Sequence, residues 1–510
     1  RHNFENTGEN MKYVLSYDLG TSGIKASLFD ADANCVAQTV EAYSTDYCAG
    51  GFMEQKPSEW WEALKKATVA LLASLGEAEK SGISVIGVSG HSLGIVAVAA
   101  DGTLLCEKTP IWSDYRAEKQ ADEFFTKTDY RAWYEATGCG FPAHLYSVFK
   151  ILWYRENMPE LYEKTSAFIG TKDYINLCLT GKIFTDHSYA SGSGVYRLSA
   201  GGYDEEFLRI SGIDAGKLPT ILRSVDTVGF VLPEVAQELG LPTDSRVRVV
   251  AGGVDNACMS LGAGCFEQND TYASLGSSAW VSAITDTPVV DYERKLYTWA
   301  HCVSGMFIPS AGIFSAGTSL SWVLNLLYGT DSPDWEEVEK SVRSVPIGSN
   351  GVTFCPVMAG GSAVDAAVNM KGALCGMDLS TTHADLLRAA YEGLACELAL
   401  PFRAIAETCG MGDRLFTVGG GALSVVAREI YANALNIPIQ VSGMPRNAAA
   451  LGAAALALVG DGIWTGFDRI KDLCQGVSLQ VPEKQAVAEY EKVQARFSLV
   501  CRQQAELAEM

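Results

Sequence analysis

The chain reads as an α/β protein of two related halves, and three observations predict it. A strand, a tight glycine-and-hydroxyl turn and a second strand open the chain at Tyr13–Asp30 (YVLSYDLGTSGIKASLFD). The same pattern returns near the middle, where strand, Gly276-Ser277-Ser278 and strand run from Tyr272 to Ile284. At 510 residues the chain is also too long for one ordinary core, so about two to four domains are expected.

The first turn is preceded by Asp18 and lined by Thr21, Ser22, Gly23 and Lys25; the second carries Gly276, Ser277 and Ser278. Backbone N–H groups in such turns, with hydroxyls beside them, form concave sites for anions such as phosphate. One copy reverses a chain; two copies, each opening one half, point to two domains gripping one nucleotide. Just ahead of the second copy, Val247, Val249 and Val250 run into Gly252-Gly253, then Asp255, then small residues that can form a helix. That places a carboxylate at a strand-to-helix junction, where helix N-terminal N–H groups favour and orient negative charge.

Composition narrows the function classes. Sixty acidic against 39 basic residues give a net charge of −21, which argues against nucleic acid or an anionic membrane as partner, and solubility alone accounts for the acidity. Fourteen cysteines without a C-x-x-C pair fit reduced thiols used as small core residues, hence a cytoplasmic protein. The longest apolar runs, Val85–Ala100 and Ala448–Gly460, fall short of the ~18 residues that span a bilayer. Residues 1–10 are polar, precede Met11 and read as a leader or an expression remnant.

In chain order, Cys35–Glu41 is expected as a third strand and Ala42–Gly51 as loop. Pro57–Leu75 has helical spacing, with Ser58 as N-cap. Val85–Ser89 is a buried strand leading to Gly90-His91-Ser92-Leu93-Gly94 and a strand at Ile95–Ala99. GHSLG matches the G-x-S-x-G nucleophile elbow of serine hydrolases, but that elbow needs a helix directly after the serine. The alternating β-branched residues that follow argue instead for a ligand-facing loop at the carboxyl end of a strand. Trp112, Asp114 and Arg116 suit a polyhydroxylated ligand, with an aromatic plane, an acceptor and a donor; an ion pair beside a core tryptophan explains them equally well. Helical pieces follow at Ser147–Glu156 and Thr171–Leu179, then a Gly- and Ser-rich connection, Gly181–Gly202, expected to cover a cleft, and a turn at Leu241–Asp244. A domain boundary is placed at 245–255, giving halves of 11–250 and 251–510.

In the second half, Met306–Pro309 is expected as strand, Thr318–Leu327 and Thr381–Thr408 as helices, and Thr417–Leu423 (TVGGGAL) as strand, glycine turn and helix start. Its glycines either let the backbone approach a flat ligand or make a tight strand-to-helix turn. Ala448–Val459 is a small-residue helix expected against that same sheet, and Glu483–Met510 an amphipathic helix.

Taken together from Met11 onward, the chain resembles the FGGY carbohydrate kinases. Gly372–Glu392 (GALCGMDLSTTHADLLRAAYE) satisfies that family's second signature throughout. The first signature is met in part at Leu145–Asn157, where Ser147, Lys150, Ile151 and Trp153 agree and Leu145 and Tyr154 do not. The resemblance implies a two-lobed actin/hexokinase-type ATPase fold of duplicated ribonuclease H-like domains. It implies ATP-dependent phosphorylation of a sugar or polyol hydroxyl, with Asp18 helping to hold Mg²⁺. It assigns Thr21, Ser22, Lys25, Gly276, Ser277, Gly317, Ser321, Gly420, Gly421 and Ala422 to the nucleotide. Asp255 matches the catalytic aspartate, expected to work with an ordinary carboxylate pKa, and Asn256 a substrate contact; Ser92, Leu93, Trp112, Asp114 and Arg116 complete the sugar set. Ser92-Leu93 stands where xylulokinase-like members usually carry Met-His, and Leu423 and Val425 where lysine and other polar residues are frequent. Expected partners are a small sugar and a second copy of the chain in a homodimer.

Overall fold

A computed structural model describes residues 11–243, 246–475 and 477–510. The leader expected at 1–10 and the final residue of the turn expected at 241–244 lie outside the described residues. The chain divides into two compact units. The first runs to Gly262 and takes in Trp299–Gly305 and Ala449–Ile470; the second holds Ala263–Thr298, Met306–Ala448 and Lys471–Met510. The division expected between residues 250 and 251 therefore falls inside the first unit, which keeps Asp255 and its helix.

In the first unit one sheet runs in the order Cys35–Ala42, Gly23–Asp30, Tyr13–Leu19, Ile83–Gly90, Arg248–Val250, Thr227–Phe230. The hairpin pairs antiparallel, while Ile83–Gly90 lies parallel to both Tyr13–Leu19 and Arg248–Val250. Strand position follows from side-chain pattern. Tyr13–Leu19, with Val14, Leu15, Tyr17 and Leu19 buried, sits centrally, whereas Cys35–Ala42 alternates half-buried and exposed residues as an edge strand does. The helix Pro57–Ala73 buries Trp60, Leu64, Ala67 and Leu71 against the hairpin side. It starts with Pro57 in its first turn and Lys56 at the cap, so Ser58 is inside the helix rather than capping it; proline's fixed φ suits the first helical turn.

Helix Ala448–Gly460 belongs to this unit, not to the sheet of Thr417 as expected. It lies so close that a Cβ on Gly87 would come within 2.1 Å of the Ala453 carbonyl, and one on Gly452 within 1.9 Å of the Cys258 carbonyl. Ser16 Oγ donates to Ala450 O at 2.7 Å. An apolar helix without a polar face carries no phase that would tell which sheet it covers. Two connections are also more structured than expected. A short strand, Asp46–Cys48, forms within Ala42–Gly51, and Gly181–Gly202 contains the helical turn His187–Ala190 and short strands at Thr185–Asp186 and Tyr196–Arg197.

The second unit repeats the plan. Its sheet passes through Phe307–Ile313, Ala279–Ala283, Thr271–Leu275, Leu415–Val418 and Ile439–Val441. The hairpin Thr271–Leu275/Ala279–Ala283 is antiparallel, and the next two strands join in parallel. The long helix His383–Cys409 takes the place that Pro57–Ala73 holds in the first unit. It opens on a reciprocal cap, in which Thr382 Oγ1 accepts from Asp385 N and Asp385 Oδ2 accepts from Thr382 N at 2.7 Å. Each unit is thus a ribonuclease H-like sheet, and the duplication expected from the two turns is the observed fold. Among the described residues no helix is long and apolar enough to cross a membrane.

Candidate active site

Asp18 and Asp255 stand at one end of the first unit's sheet. The register sets Asp18 opposite Ser89, and Ser89 opposite Gly253, so the central strand alone separates the two acidic strand ends. Two inter-strand steps put the backbones of Asp18 and Gly253 about 10 Å apart, with Asp255 two residues further along. Gly253–Val254 is a strand, and Asp255 is the first residue of the helix Asp255–Gly262, as expected. Gly252 makes this junction feasible: its φ is +73°, and a Cβ there would lie 2.0 Å from the Val88 carbonyl.

Asn256 N donates to Asp255 Oδ1 at 2.8 Å, the helix-start hydrogen bond that fixes the carboxylate's direction. The carboxyl does not keep an ordinary pKa. Burial pushes it up to about 7, against the Asn256 amide and with help from the charge of Asp18. Asp18 is itself raised by burial, with Lys25 opposing the rise. Two repelling carboxylates of this kind suit a cation. Among the described residues no group of three or more His, Cys, Asp or Glu side chains forms a metal cage. A pair of carboxylates is a donor set of the kind that, with phosphate oxygens and water, commonly holds a hard divalent cation.

The Thr21–Ser22 turn is held from outside by its carbonyls. Tyr43 Oη donates to Gly20 O, Gln55 Nε2 to Thr21 O at 2.6 Å, and Tyr43 N to Ser22 O at 3.3 Å. Trp112 reaches this turn, its Nε1 donating to Thr21 Oγ1 at 3.1 Å, and its ring is 43% exposed. Asp114 and Arg116 are a correction. Asp114 is fully buried, accepts from Met53 N at 2.8 Å and holds Arg116 Nε and Nη2 at 2.8 and 2.7 Å. Arg116 also pairs with Glu54 at 2.6 Å and stacks on Phe52 and Trp153. Both are engaged in this buried ion pair, and Trp112 is the exposed member of the trio.

Leu93 is corrected in part. Its side chain is buried and, with Trp299, abuts Gly192; its φ of +59° is unusual for a leucine. Lys150, fully buried, ties this loop to the tryptophan segment by donating to Leu93 O at 2.9 Å and Ile111 O at 2.8 Å. Burial pulls its ammonium down to about 7. After Ser92 the chain enters the strand Val96–Val98, not a helix, and His91 is a buried neutral imidazole, brought to about 3 by burial and then by Lys150. A nucleophile elbow is not formed.

In the second unit, Gly276, Ser277, Gly317, Ser321, Gly420 and Gly421 line one cavity of about 930 Å³. Its glycines divide by function. A Cβ on Gly317 would meet Gly276 O at 2.6 Å, and one on Gly419, where φ is +90°, Leu275 O at 2.5 Å, so these two serve backbone packing. A Cβ on Gly420 would meet nothing within 4 Å and would stand in open space at the cavity wall. Ala422 is corrected: it is fully buried, and its carbonyl accepts from Arg428 Nη1 at 2.7 Å. Trp322, Asn325, Trp335, Glu339, Tyr391 and Arg446 also line the cavity and were not expected there. Trp322 and Trp335 sit half-exposed on helices, Trp322 beside the exposed Asn325 and Leu326, and that exposure is a tertiary fact absent from the sequence.

Two family descriptions match. The FGGY family of carbohydrate kinases, N-terminal domain, covers residues 13–262, and the C-terminal domain covers 271–460. A xylulose kinase of Bacillus subtilis is 29% identical over 94% of this chain and 95% of its own. One of Staphylococcus epidermidis is 30% identical over 88% of each. The crystal structure of a gluconate kinase from Lactobacillus acidophilus superposes with a TM-score of 0.87 at 22% identity, covering 97% of this chain and 98% of that one. Two duplicated sheets, a pair of carboxylates at a strand end and a glycine-walled cavity agree with what these matches establish: the chain belongs to the FGGY family of carbohydrate kinases.

Proposed function

We propose that this carbohydrate kinase uses ATP to phosphorylate a neutral ketose, a ketopentose such as xylulose, with Asp255 as the base. The carrying observation is Asp255 at a helix start, one strand away from Asp18, with a pKa lifted to about 7. A base whose pKa lies near working pH combines the ionised form with useful proton affinity. Its Oδ1 is fixed by Asn256 N, so the carboxylate accepts the sugar hydroxyl's proton as that oxygen bonds to the terminal phosphorus and the bond to ADP breaks. Asp18 would hold Mg²⁺, which when bound neutralises phosphate charge. The Gly276–Ser277 turn, Gly317 and the Gly420–Gly421 wall take the nucleotide, in a cavity that Glu339 and Arg446 also line.

Gluconate is the rival substrate, since one superposed structure is a gluconate kinase. Against it stands Arg116: the cation expected at the sugar site is neutralised by Asp114 and Glu54, which favours an uncharged ligand. Fourteen free cysteines and the bacterial relatives support work in the reducing cytoplasm. A coupled ADP-release assay over ketopentoses, ketohexoses, polyols and gluconate tests the reading. The highest kcat/KM is expected on a ketopentose, and a preference for gluconate would replace it.

A further inference from the structure

The backbone that presents Asp255 is held on several sides by a buried charged cluster lying outside both candidate ligand sites. Ala251 O accepts from Lys172 Nζ at 3.2 Å and Asn176 Nδ2 at 2.9 Å. Gly252 N donates to Ser224 O at 2.9 Å, and Val254 N to Ser188 Oγ at 2.9 Å. These holds converge on Asp186. Its Oδ2 accepts from Ser188 Oγ at 2.6 Å and Ser224 Oγ at 2.8 Å, and its Oδ1 pairs with Lys172 at 2.9 Å. Lys172 also pairs with Asp173 at 2.5 Å. Lys172, Asp173, Asp186, Ser188 and Ser224 are all at most 2% exposed.

An ion cluster buried this completely is a poor device for stability, because desolvation offsets its attraction and apolar replacements of equal volume often do as well. What it supplies is direction. Its hydrogen bonds hold the Ala251–Gly252 peptide from both sides and the N–H of Val254, in the segment that aims the next side chain. We infer that Asp186, acting through Ser188 and Ser224 and balanced by Lys172, is the positioning device for the Asp255 carboxylate. This rests on Asp255 being the base. Ser188 carries the most direct arm: its hydroxyl accepts from Val254 N, one peptide before Asp255, while donating its own proton to Asp186.

The test is a double-mutant cycle on the full chain with the preferred sugar. Ser188→Ala strips one donor from Asp186 and leaves Val254 N without its acceptor. It should lower kcat by about 10²-fold, the scale of a 1 Å misplacement of a reacting group. The KM values for sugar and ATP should stay within about threefold, because neither ligand is touched. In an Asp255→Ala background the same substitution should leave the residual rate unchanged, since there is no carboxylate left to aim. A Ser188→Ala enzyme within twofold of the parent kcat, or an equal loss in both backgrounds, overturns the inference. Should Ser188→Ala not fold, as judged by circular dichroism and ATP binding, Ser224→Ala goes through the same cycle; it strips the other donor while the Ser224 carbonyl still holds Gly252. Asp255→Ala measured alone separates the two failures: full turnover there removes the base itself, whereas a dead Asp255→Ala beside an unaffected Ser188→Ala removes the positioning claim only.

Discussion

In the first unit the strand, turn and strand unit brings a carboxylate to the sheet end; in the second the equivalent hairpin ends on glycine and serine. Asp18 lies one residue inside the Leu19 strand end, and Asp255 joins it across Ile83–Gly90. At the corresponding place Leu275 leads into Gly276 and Ser277, facing Gly317 and Gly420 around an open cavity. The five inner strands share order and pairing in both, while the edges differ: the second sheet adds Tyr297–Ala300 beyond Phe307–Ile313. The difference teaches that the duplicated sheet is a neutral support, and that the residue types at its carboxyl ends decide whether an end presents carboxylates or an open glycine-walled cavity.

The sharpest way to break that comparison is to remove charge from the acidic end. Asp255→Ala should cut kcat by about 10²- to 10⁴-fold, the usual contribution of a positioned base. ATP binding, followed by tryptophan fluorescence, should be unchanged, because the cavity walls belong to the second unit. If affinity for ATP fell together with turnover, the two ends would not have separate tasks.

A smaller effect probes the neutral end, where neighbouring glycines are expected to respond differently. Gly420→Val adds bulk where a Cβ meets only open space, so the melting temperature should hold while the KM for ATP rises about tenfold or more. Gly419→Ala forces a side chain to a φ of +90° and to 2.5 Å from the Leu275 carbonyl, so stability should fall, by roughly 1–3 kcal/mol in urea titrations. Equal behaviour of the two variants would show that Gly420 is there for the fold and not for the ligand.

What the sequence made legible follows from range. Hairpins, glycine turns and the strand-to-helix step at Asp255 are written in neighbouring residues, through apolar runs broken by glycine and small hydroxyl residues, and they lie where expected. Asp114 and Arg116 were ambiguous because their other partners, Glu54 and the Met53 amide, lie some sixty residues away along the chain. Nothing in helix Ala448–Gly460 selects its sheet, because its apolar surface has no preferred side. The segment Gly181–Gly202 looked like a loop because the role of Asp186 and Ser188 appears only once Val254 and Ser224 are folded against them. The raised pKa of Asp255 is invisible in the sequence for the same reason, since burial and the charge of Asp18 are both tertiary facts.

That last point yields the smallest expected effect and the most specific. Asp255 has a folded-state pKa of about 7, whereas an unfolded chain leaves an aspartate near 3.9. Between those values the folded protein holds a proton that unfolding releases, so stability falls as pH rises through the window and the loss is complete above about 7. An asparagine at the position has nothing to release. In protein free of nucleotide and metal, the parent should therefore lose several degrees more melting temperature than Asp255→Asn between pH 5 and pH 8. Parallel curves would mean an ordinary carboxylate. Because the charge of Asp18 is one of the causes of the rise, Asp18→Asn should move the midpoint of that loss toward acid without abolishing it. Burial, the larger cause, is untouched by that substitution, so an unmoved midpoint would assign the whole shift to desolvation and remove the electrostatic link between the two carboxylates.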